Sequence, residues 1–339
     1  MKSLYRIAAG FACLSLAGIF AAAFPGASGY RVLKTLALGG EGGWDYLTVD
    51  SAARRVYLSR SKHVLVLDAD TGAVTGDIPD TPGVHGIALA PDLSRGFTSN
   101  GRINSVTLFD LKTLKTLGTA AAGDNPDAIL YDRASQLVFA FNGRSKDATV
   151  LNAADGKLAA TIPLGGKPEF AVADGKGRVY VNIEDTAELV ALDTHKLQVT
   201  ARWPLAPCAD PTGLAIDLAT RRLFAACGNK LMVIADADSG KLLATLPIGA
   251  GVDAVEFDPE LRLAFSSNGE GTLTVVRAES PDKFSVLETV PTRRGARTMA
   301  LDTKTHNIFL PTADFDPPAE GERRPRVKPG TFMLLVAGR

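Results

Sequence analysis

The sequence predicts an all-β protein, a seven-bladed β-propeller with four-stranded antiparallel blades. Two observations carry this prediction. A short apolar run that ends in or near an aspartate recurs seven times, and the unit between the runs contains four strand-like stretches. Steps of 40 to 44 residues separate the aspartates, which are Asp50, Asp92, Asp132, Asp174, Asp217, Asp258 and Asp302. A period in the low forties with strands inside each unit is typical of propellers.

The fifth unit displays the four strands of one blade. They occupy residues 213–217, 222–226, 231–234 and 241–246, and a turn at Asp238-Ser239-Gly240 precedes the last one. Branched and aromatic residues fill these stretches, whereas glycine, asparagine and aspartate separate them. No long amphipathic helical pattern follows residue 30, so the expected fold class is all-β.

The two ends of the chain complete one another. The last unit ends with a third strand at residues 332–336 and has no fourth. The stretch from Leu33 to Gly40 resembles the fourth strands at residues 158–166 and 243–250. We therefore expect the strand from Leu33 to Gly40 to close the last blade, because an incomplete blade would expose strand edges.

The N-terminus has the pattern of a secretion signal. Lys2 and Arg6 precede an uncharged apolar run over residues 7–24, and small residues follow it. We expect residues 1–29 to form a cleaved signal peptide and residues 30–339 to form the propeller, which would make the protein periplasmic or secreted. An uncleaved anchor is the alternative, since the run is just long enough to span a bilayer. No membrane span is expected in the mature chain.

Two cysteines remain after the apolar run. Cys208 precedes the first strand of the fifth unit, and Cys227 follows the second strand. These positions lie at the same end of an antiparallel blade, so an oxidising compartment would permit a disulfide between them. Two free thiols are the alternative.

One aligned position supplies the candidate site. The residue that enters the innermost strand is polar in every unit: Asp45, His85, Asp127, Glu169, Thr212, Asp253 and Arg297. Innermost strands line the central channel, so these side chains are expected to form a ring at one mouth. The ring could bind a polar ligand or a divalent cation, or it could simply bind water and cap exposed backbone.

The candidate ligands for a metal at this ring are Asp127, Glu169 and Asp253, on the basis of a resemblance to propeller hydrolases in which carboxylates hold a central calcium. Arg297 would lie between Asp253 and Asp45 and could neutralise both. No other cofactor is expected. The sequence contains no nucleophile elbow, HExxH, P-loop, haem-attachment or dinucleotide motif, which favours a protein that is not an enzyme.

The repeats resemble the YVTN β-propeller repeat, and the chain from residue 31 to 339 is similar to YncE-like secreted proteins. The resemblance rests on second strands that end in asparagine, at residues 179–182, 97–100 and 265–268. Residues 125–128 also resemble the Pro-Asp-Gly sequence with which such repeats begin. It implies a seven-bladed propeller exported from a bacterial cytoplasm, without shared catalytic residues. We interpret the strand-ending asparagines as turn formers: Asn100, Asn142, Asn182 and Asn268.

Three functions remain open at this stage. The first is a non-enzymatic binding or scaffold protein of the cell envelope, whose channel-mouth face binds an unidentified protein or a small polar ligand. The second is a metal-dependent, lactonase-like hydrolase with a central cation. The third is an accessory protein of a periplasmic redox system. Nucleic acid is not expected as a partner, because the formal net charge is zero and no basic stripe is present.

Overall fold

The computed structural model describes residues 28–318 and 325–339. In this part of the chain the strands form seven four-stranded antiparallel sheets, which confirms the predicted propeller. The same residues contain no α-helix, only one turn of 3-10 helix at Pro91–Leu93. None of their helices has the length and apolar character needed to cross a membrane.

Each blade contributes one strand to each of four concentric layers. The innermost strands are β2 (Leu47–Asp50), β6 (Val84–Ala90), β10 (Pro126–Asp132), β14 (Pro168–Ala173), β18 (Pro211–Asp217), β22 (Val252–Asp258) and β26 (Ala300–Asp302). The second strands are β3 (Arg55–Arg60), β7 (Arg95–Asn100), β11 (Leu137–Asn142), β15 (Arg178–Ile183), β19 (Arg222–Cys227), β23 (Leu263–Asn268) and β27 (Asn307–Thr312).

The outer half of each blade follows the same order. The third strands are β4 (His63–Asp68), β8 (Ser105–Asp110), β12 (Asp147–Asn152), β16 (Glu188–Asp193), β20 (Leu231–Asp236), β24 (Thr272–Ser280) and β30 (Met333–Gly338). The outermost strands are β5 (Val74–Ile78), β9 (Thr116–Ala121), β13 (Leu158–Pro163), β17 (Gln198–Pro204), β21 (Leu242–Pro247), β25 (Lys283–Pro291) and β1 (Arg31–Ala37). A two-stranded hairpin is formed by β28 (Phe315–Asp316) and β29 (Arg326–Val327).

The N-terminal strand closes the ring as the sequence predicts. β1 pairs antiparallel with β30, so blade 7 has the order β26, β27, β30, β1. The strand runs from Arg31 to Ala37, earlier than the expected stretch from Leu33 to Gly40, because Gly39 and Gly40 take positive φ angles and turn the chain. Just before β1, the Ser28 N–H donates to Glu288 of blade 6 at 2.8 Å. Residues 1–27 of the predicted signal peptide lie outside the described residues.

The core lies between the blades. Seven buried apolar clusters occur among the described residues, one at each blade–blade interface. At the interface of blades 5 and 6, the rings of Phe224 and Phe257 stack with centroids 5.1 Å apart. The position of Gly213 requires glycine, since a Cβ there would lie 2.6 Å from the backbone of Ala254 in the next blade. Close packing of neighbouring blades therefore positions the inner strands around the axis.

Six of the seven recurring aspartates, all but Asp92, accept backbone N–H groups of the turn between the first and second strands. Asp302, for example, accepts hydrogen bonds from the Lys304 N–H at 3.1 Å and the Thr305 hydroxyl at 2.6 Å. Its other contact crosses to blade 1, where Arg54 Nη1 lies 2.7 Å from Oδ2. Equivalent bonds from the following blade reach three more of these carboxylates: Tyr131 to Asp92, Arg221 to Asp174 and His306 to Asp258.

Blade 5 contains the two cysteines. Cys208 and Cys227 form a disulfide in the structure, with Cα atoms 5.4 Å apart. Cys208 lies in the loop before β18, and Cys227 is the last residue of β19. Both side chains are buried in the interface between blades 4 and 5. The bond thus attaches the loop that leads to an inner strand to the second strand of the same blade.

We predict that Asp302→Ala destabilises the propeller by about 3 kcal/mol, because the substitution removes one partner of a buried ion pair. Arg54 is left with Asp70, and the Lys304 N–H and the Thr305 hydroxyl lose their acceptor. Urea unfolding followed by circular dichroism measures the effect. Asp155→Ala is the matched control, since this half-exposed carboxylate pairs only with Lys157 of its own turn. Equal unfolding midpoints for the two variants would contradict the role of the aspartate.

Candidate functional site at the channel mouth

The structure places the predicted polar residues at the starts of the inner strands. His85, Asp127, Glu169, Thr212 and Asp253 each occupy the second position of their strand. At each of them the register with the second strand shifts, which marks a β-bulge. Bulges redirect side chains, and here the ring residues are the ones at the bulge. Asp45 and Arg297 lie in the loops just before β2 and β26.

Hydrogen bonds from neighbouring blades hold the backbone of the ring. The Ser99 hydroxyl donates to the Asp127 carbonyl, and the Thr298 hydroxyl donates to the Asp45 carbonyl at 2.8 Å. Asn182 Nδ2 donates to the Thr212 carbonyl at 2.9 Å. Side chains from the preceding blade therefore satisfy carbonyl groups of the ring at two bulges and in the loop before β2, where regular strand pairing is absent.

The strand-ending asparagines are not turn formers, contrary to our interpretation of the sequence. They are fully buried and do not take left-handed φ angles. Three of them donate from Nδ2 to a threonine of the third strand: Asn100 to Thr107, Asn142 to Thr149 and Asn268 to Thr274, at 2.8 to 3.0 Å. The fourth, Asn182, bonds to the next blade. These amides hold the strands of the mouth in place.

Cations separate the carboxylates of the ring. His85 Nδ1 lies 2.6 Å from Asp45 Oδ2 and 3.6 Å from Asp127 Oδ1. Arg297 Nε lies 3.2 Å from Asp253 Oδ2, and its Nη2 lies 3.7 Å from Asp45 Oδ1. Asp45 is therefore shared between His85 and Arg297, as the sequence anticipated for Arg297.

Glu169 lies beside a cationic residue that the aligned position did not reveal. Lys167, two residues earlier, places Nζ 3.1 Å from Glu169 Oε2 and also pairs with Glu184. Thr212 makes no ionic contact among the described residues, and its hydroxyl donates to the Val252 carbonyl at 3.1 Å. Lys167 lies in the turn just before Pro168, the first residue of β14. This turn places it near the ring, and alignment of the repeated strands does not include it.

Burial and mutual repulsion raise the pKa of three ring carboxyls, those of Asp127, Glu169 and Asp253. Burial raises the pKa of Asp127 to about 6, with His85 opposing the rise. The pKa of Asp253 rises to about 7 through burial despite Arg297, and that of Glu169 to about 8 through burial and the charge of Asp127. Burial alone would lower the pKa of His85, but the hydrogen bond to Asp45 and the nearby carboxylates raise it to about 9. The imidazole is therefore cationic at neutral pH.

An aromatic pair lies beneath the ring. Tyr46 follows Asp45 in blade 1, and its ring centroid is 5.1 Å from that of Phe170 in blade 4. Burial, together with the carboxylates of the ring, raises the pKa of Tyr46 well above its usual value. Because the two blades face each other across the axis, this pair separates the polar mouth from the channel below it.

A pocket of about 500 Å³ opens beside the ring, between blades 1, 2 and 3. We call it the mouth pocket, and its polar lining includes Asp45, Ser61, His85, Arg102, Asn104, Asn125 and Arg144. Sequence reasoning missed Arg102 and Arg144. A signal for them existed, because an Asn-Gly-Arg triplet follows the second strand in both blade 2 and blade 3.

The hairpin of β28 and β29 in blade 7 lies on the same face as the mouth pocket. The ring centroid of Phe315 in β28 lies 6.3 Å from that of Trp44, which lines the mouth pocket. The centroid of Trp44 is also 5.1 Å from that of Phe332. Arg293 Nη1 pairs with Asp314 at 3.0 Å in the loop that leads to Arg297. The base of the hairpin is thus attached to one wall of the pocket.

The ligand atoms best placed for a cation are those of Asp45, His85 and Asp127. In the part of the chain that the structure describes, this is the group of such residues whose ligand atoms all lie within 4.8 Å of one another. Glu169 and Asp253, proposed as ligands with Asp127, instead pair with Lys167 and Arg297. A cation at this group would have to displace the proton that His85 holds at neutral pH.

Several solved structures share the fold with little sequence identity. Hydrazine synthase from Kuenenia stuttgartiensis is 13% identical with a TM-score of 0.69, over 79% of this chain and 92% of that chain. A structure of U3-55K is 10% identical with a TM-score of 0.74, over 90% and 98%. The WD40 repeats of RRP9 are 10% identical with a TM-score of 0.75, over 92% and 98%. These similarities show the propeller fold alone.

No protein-family model matches the chain, and no curated protein matches it significantly.

We predict that Asp45→Asn lowers the pKa of His85 from about 9. The expected value is about 8 or lower, since one charge-assisted hydrogen bond of about 1.5–3 kcal/mol is lost. Titration of the labelled imidazole by NMR measures it, and Asp155→Asn serves as the control far from the ring. An unchanged titration in Asp45→Asn would show that the ion pair does not form.

The same shift gives the sign of the pH dependence. Folding raises the pKa of His85 above the value of about 6.5 expected in the unfolded chain. The stabilisation from this ion pair is therefore complete below about pH 6.5 and is lost as the pH rises through about 9.

Proposed function

We propose that this protein is an exported, YncE-like binding protein of the cell envelope that holds a small anionic ligand in the mouth pocket and catalyses no reaction. The propeller fold is consistent with a binding or scaffold role in general. The chemistry of the mouth pocket narrows that role. An acidic side chain of a partner protein would offer the same chemistry as a small carboxylate or phosphate.

One observation carries the proposal. Three cationic side chains border the pocket, and each has N–H groups directed at the pocket that find no acceptor among the described residues. Arg102 and Arg144 are exposed and make no side-chain ion pair within the described ranges. His85 uses Nδ1 for Asp45, which leaves Nε2 as a donor. A Cβ at residue 101 would lie 2.8 Å from that Nε2, so Gly101 keeps the nitrogen accessible.

Asp45, the one carboxylate among the described residues that line the pocket, is already paired with cations, whereas Asp124 at the rim keeps its charge. Asp45 is held by His85 and Arg297, and Asp124 at the rim accepts a hydrogen bond from Asn104 Nδ2 at 2.9 Å. The two arginines therefore give the pocket a positive charge that its own carboxylates do not cancel. Guanidinium groups bind carboxylate and phosphate with paired, charge-assisted hydrogen bonds, which supports an anionic ligand.

Export is supported by two features. The first residues have the pattern of a signal peptide, and the disulfide between Cys208 and Cys227 belongs to an oxidising compartment. We predict that protein recovered from the periplasm of expressing bacteria lacks the leader and has no free thiol. Intact-mass analysis with and without thiol alkylation under denaturing conditions tests both points. Retention of the leader, or two alkylated cysteines, would contradict export in the form proposed.

For the ligand, we predict measurable binding of inorganic phosphate or citrate by isothermal titration calorimetry at pH 7. The double variant Arg102→Gln/Arg144→Gln should weaken binding at least about tenfold, because each lost charge-assisted hydrogen bond contributes about 1.5–3 kcal/mol. The matched control is Arg31→Gln/Arg277→Gln, which removes the same charge from exposed positions away from the pocket.

The outcomes separate the candidate functions. Equal weakening by both double variants would indicate non-specific attraction, and no binding of either anion would contradict the proposal. Calcium or zinc alone provides a further arm, because Asp45, His85 and Asp127 place their ligand atoms close together. Stoichiometric metal binding that Asp127→Asn abolishes would favour the second candidate, a metal-dependent hydrolase.

A further inference from the structure

Below the ring, the channel contains two adjoining cavities of about 330 Å³ each. We call them together the lower channel. Both are lined by Leu130, Tyr131, Phe170 and Glu256, and most of the remaining lining is aliphatic side chains and backbone of the inner strands. The side chains that line the lower channel are therefore mostly apolar, polar backbone groups of the inner strands complete the wall, and Glu256 is the one carboxyl group among the described lining residues.

Glu256 has no cationic partner there. It extends from β22 and accepts a hydrogen bond from the Leu301 N–H of blade 7. No lysine, arginine or histidine is among the described residues that line either cavity. Burial raises the pKa of Glu256 to about 8. A carboxyl group in apolar surroundings is costly to ionise unless a counter-charge approaches it.

Aromatic rings complete the site. Tyr46 and Phe170 contact each other over the upper end of the lower channel, and Tyr131 lines its side. The two tyrosines are the other titratable groups facing the cavities. Burial raises the pKa of Tyr131 to about 12 and that of Tyr46 well above its usual value, so both stay neutral. Neutral aromatic faces attract cations through their quadrupole.

We propose that the lower channel binds a small organic cation, an amine or quaternary ammonium, whose charge pairs with Glu256 while its carbon groups contact Tyr46 and Phe170. One carboxylate among aromatic and aliphatic groups is the chemistry that recognises such ions. At roughly 30 Å³ for each non-hydrogen atom, one cavity accommodates about ten. Val49, Leu89 and Leu130 are only half-buried, so solutes reach the site from the mouth opposite the ring.

This site is independent of the proposed anion site. The mouth pocket carries unpaired cationic side chains, whereas the lower channel carries an unpaired acid, and the Tyr46–Phe170 pair separates them. Failure of either binding experiment therefore leaves the other unaffected.

The test compares choline with its neutral isostere, 3,3-dimethylbutan-1-ol, by isothermal titration calorimetry. We expect choline to bind at least about tenfold more tightly than the alcohol at pH 8.5. Choline affinity should increase from pH 6.5 to 8.5 as Glu256 ionises, because the pKa of this carboxyl in the free protein is raised to about 8. Equal affinities for the two probes, or no binding of choline, would overturn the proposal.

Substitutions test whether Glu256 is the carboxylate that binds choline. Glu256→Gln should weaken choline binding at least about tenfold and leave the alcohol unaffected, whereas Glu260→Gln, which removes an exposed acid outside the channel, should change neither. An unchanged choline affinity in Glu256→Gln would refute the role of the carboxylate. Phe170→Leu is a second variant, expected to weaken choline binding more than that of the alcohol. Thermal unfolding of each variant verifies that the propeller is intact.

Discussion

The buried aspartate at the end of the inner strand is the constraint on which the propeller depends. In blades 4, 6 and 7 one carboxylate both caps its own turn and accepts a bond from the following blade, as Asp302 does from Arg54. The same group therefore fixes where a strand ends and how far the next blade is rotated. A buried carboxylate is stable only when its oxygen atoms accept hydrogen bonds, so the loss of either contact lowers the free energy of unfolding. The cap of the turn, which six of the seven aspartates provide, accounts for the regular period with which the residue recurs.

With one end of each inner strand fixed in this way, the opposite ends meet around the axis and their bulges bring polar side chains together. The result is a channel with two unlike halves. In the upper half, His85, Arg297 and Lys167 lie beside carboxyl groups and limit the rise in pKa that burial causes in them. In the lower half, Glu256 has no such counterpart among the described residues. The Tyr46–Phe170 pair keeps these two environments apart.

The architecture was predictable because every unit repeats the same local rules, and the closing strand because one blade lacked a strand while the N-terminus had one to spare. The ring positions also followed from alignment of the units. Lys167, Arg102 and Arg144 were not predicted, since they occupy turns that lie outside the aligned strands. Glu256 was not predicted for a similar reason. It places a carboxylate in the apolar middle of an inner strand in one unit alone, so no repeated pattern identifies it. The asparagines were misinterpreted because a strand-ending amide and a turn-forming amide look alike in sequence.

The closure of blade 7 has a consequence for how the molecule is assembled. Arg31 pairs with Gly338, so the first strand to leave a ribosome or a secretion channel finds its partner last. Six blades can stack while the ring is still open, and the axial spaces acquire their final wall only when β26, the innermost strand of blade 7, joins them. A molecule that occupies the axis therefore binds the closed ring and not its precursor. By mass action such an occupant stabilises the closed ring relative to the open one, and it therefore opposes reopening of the seam between the two chain ends.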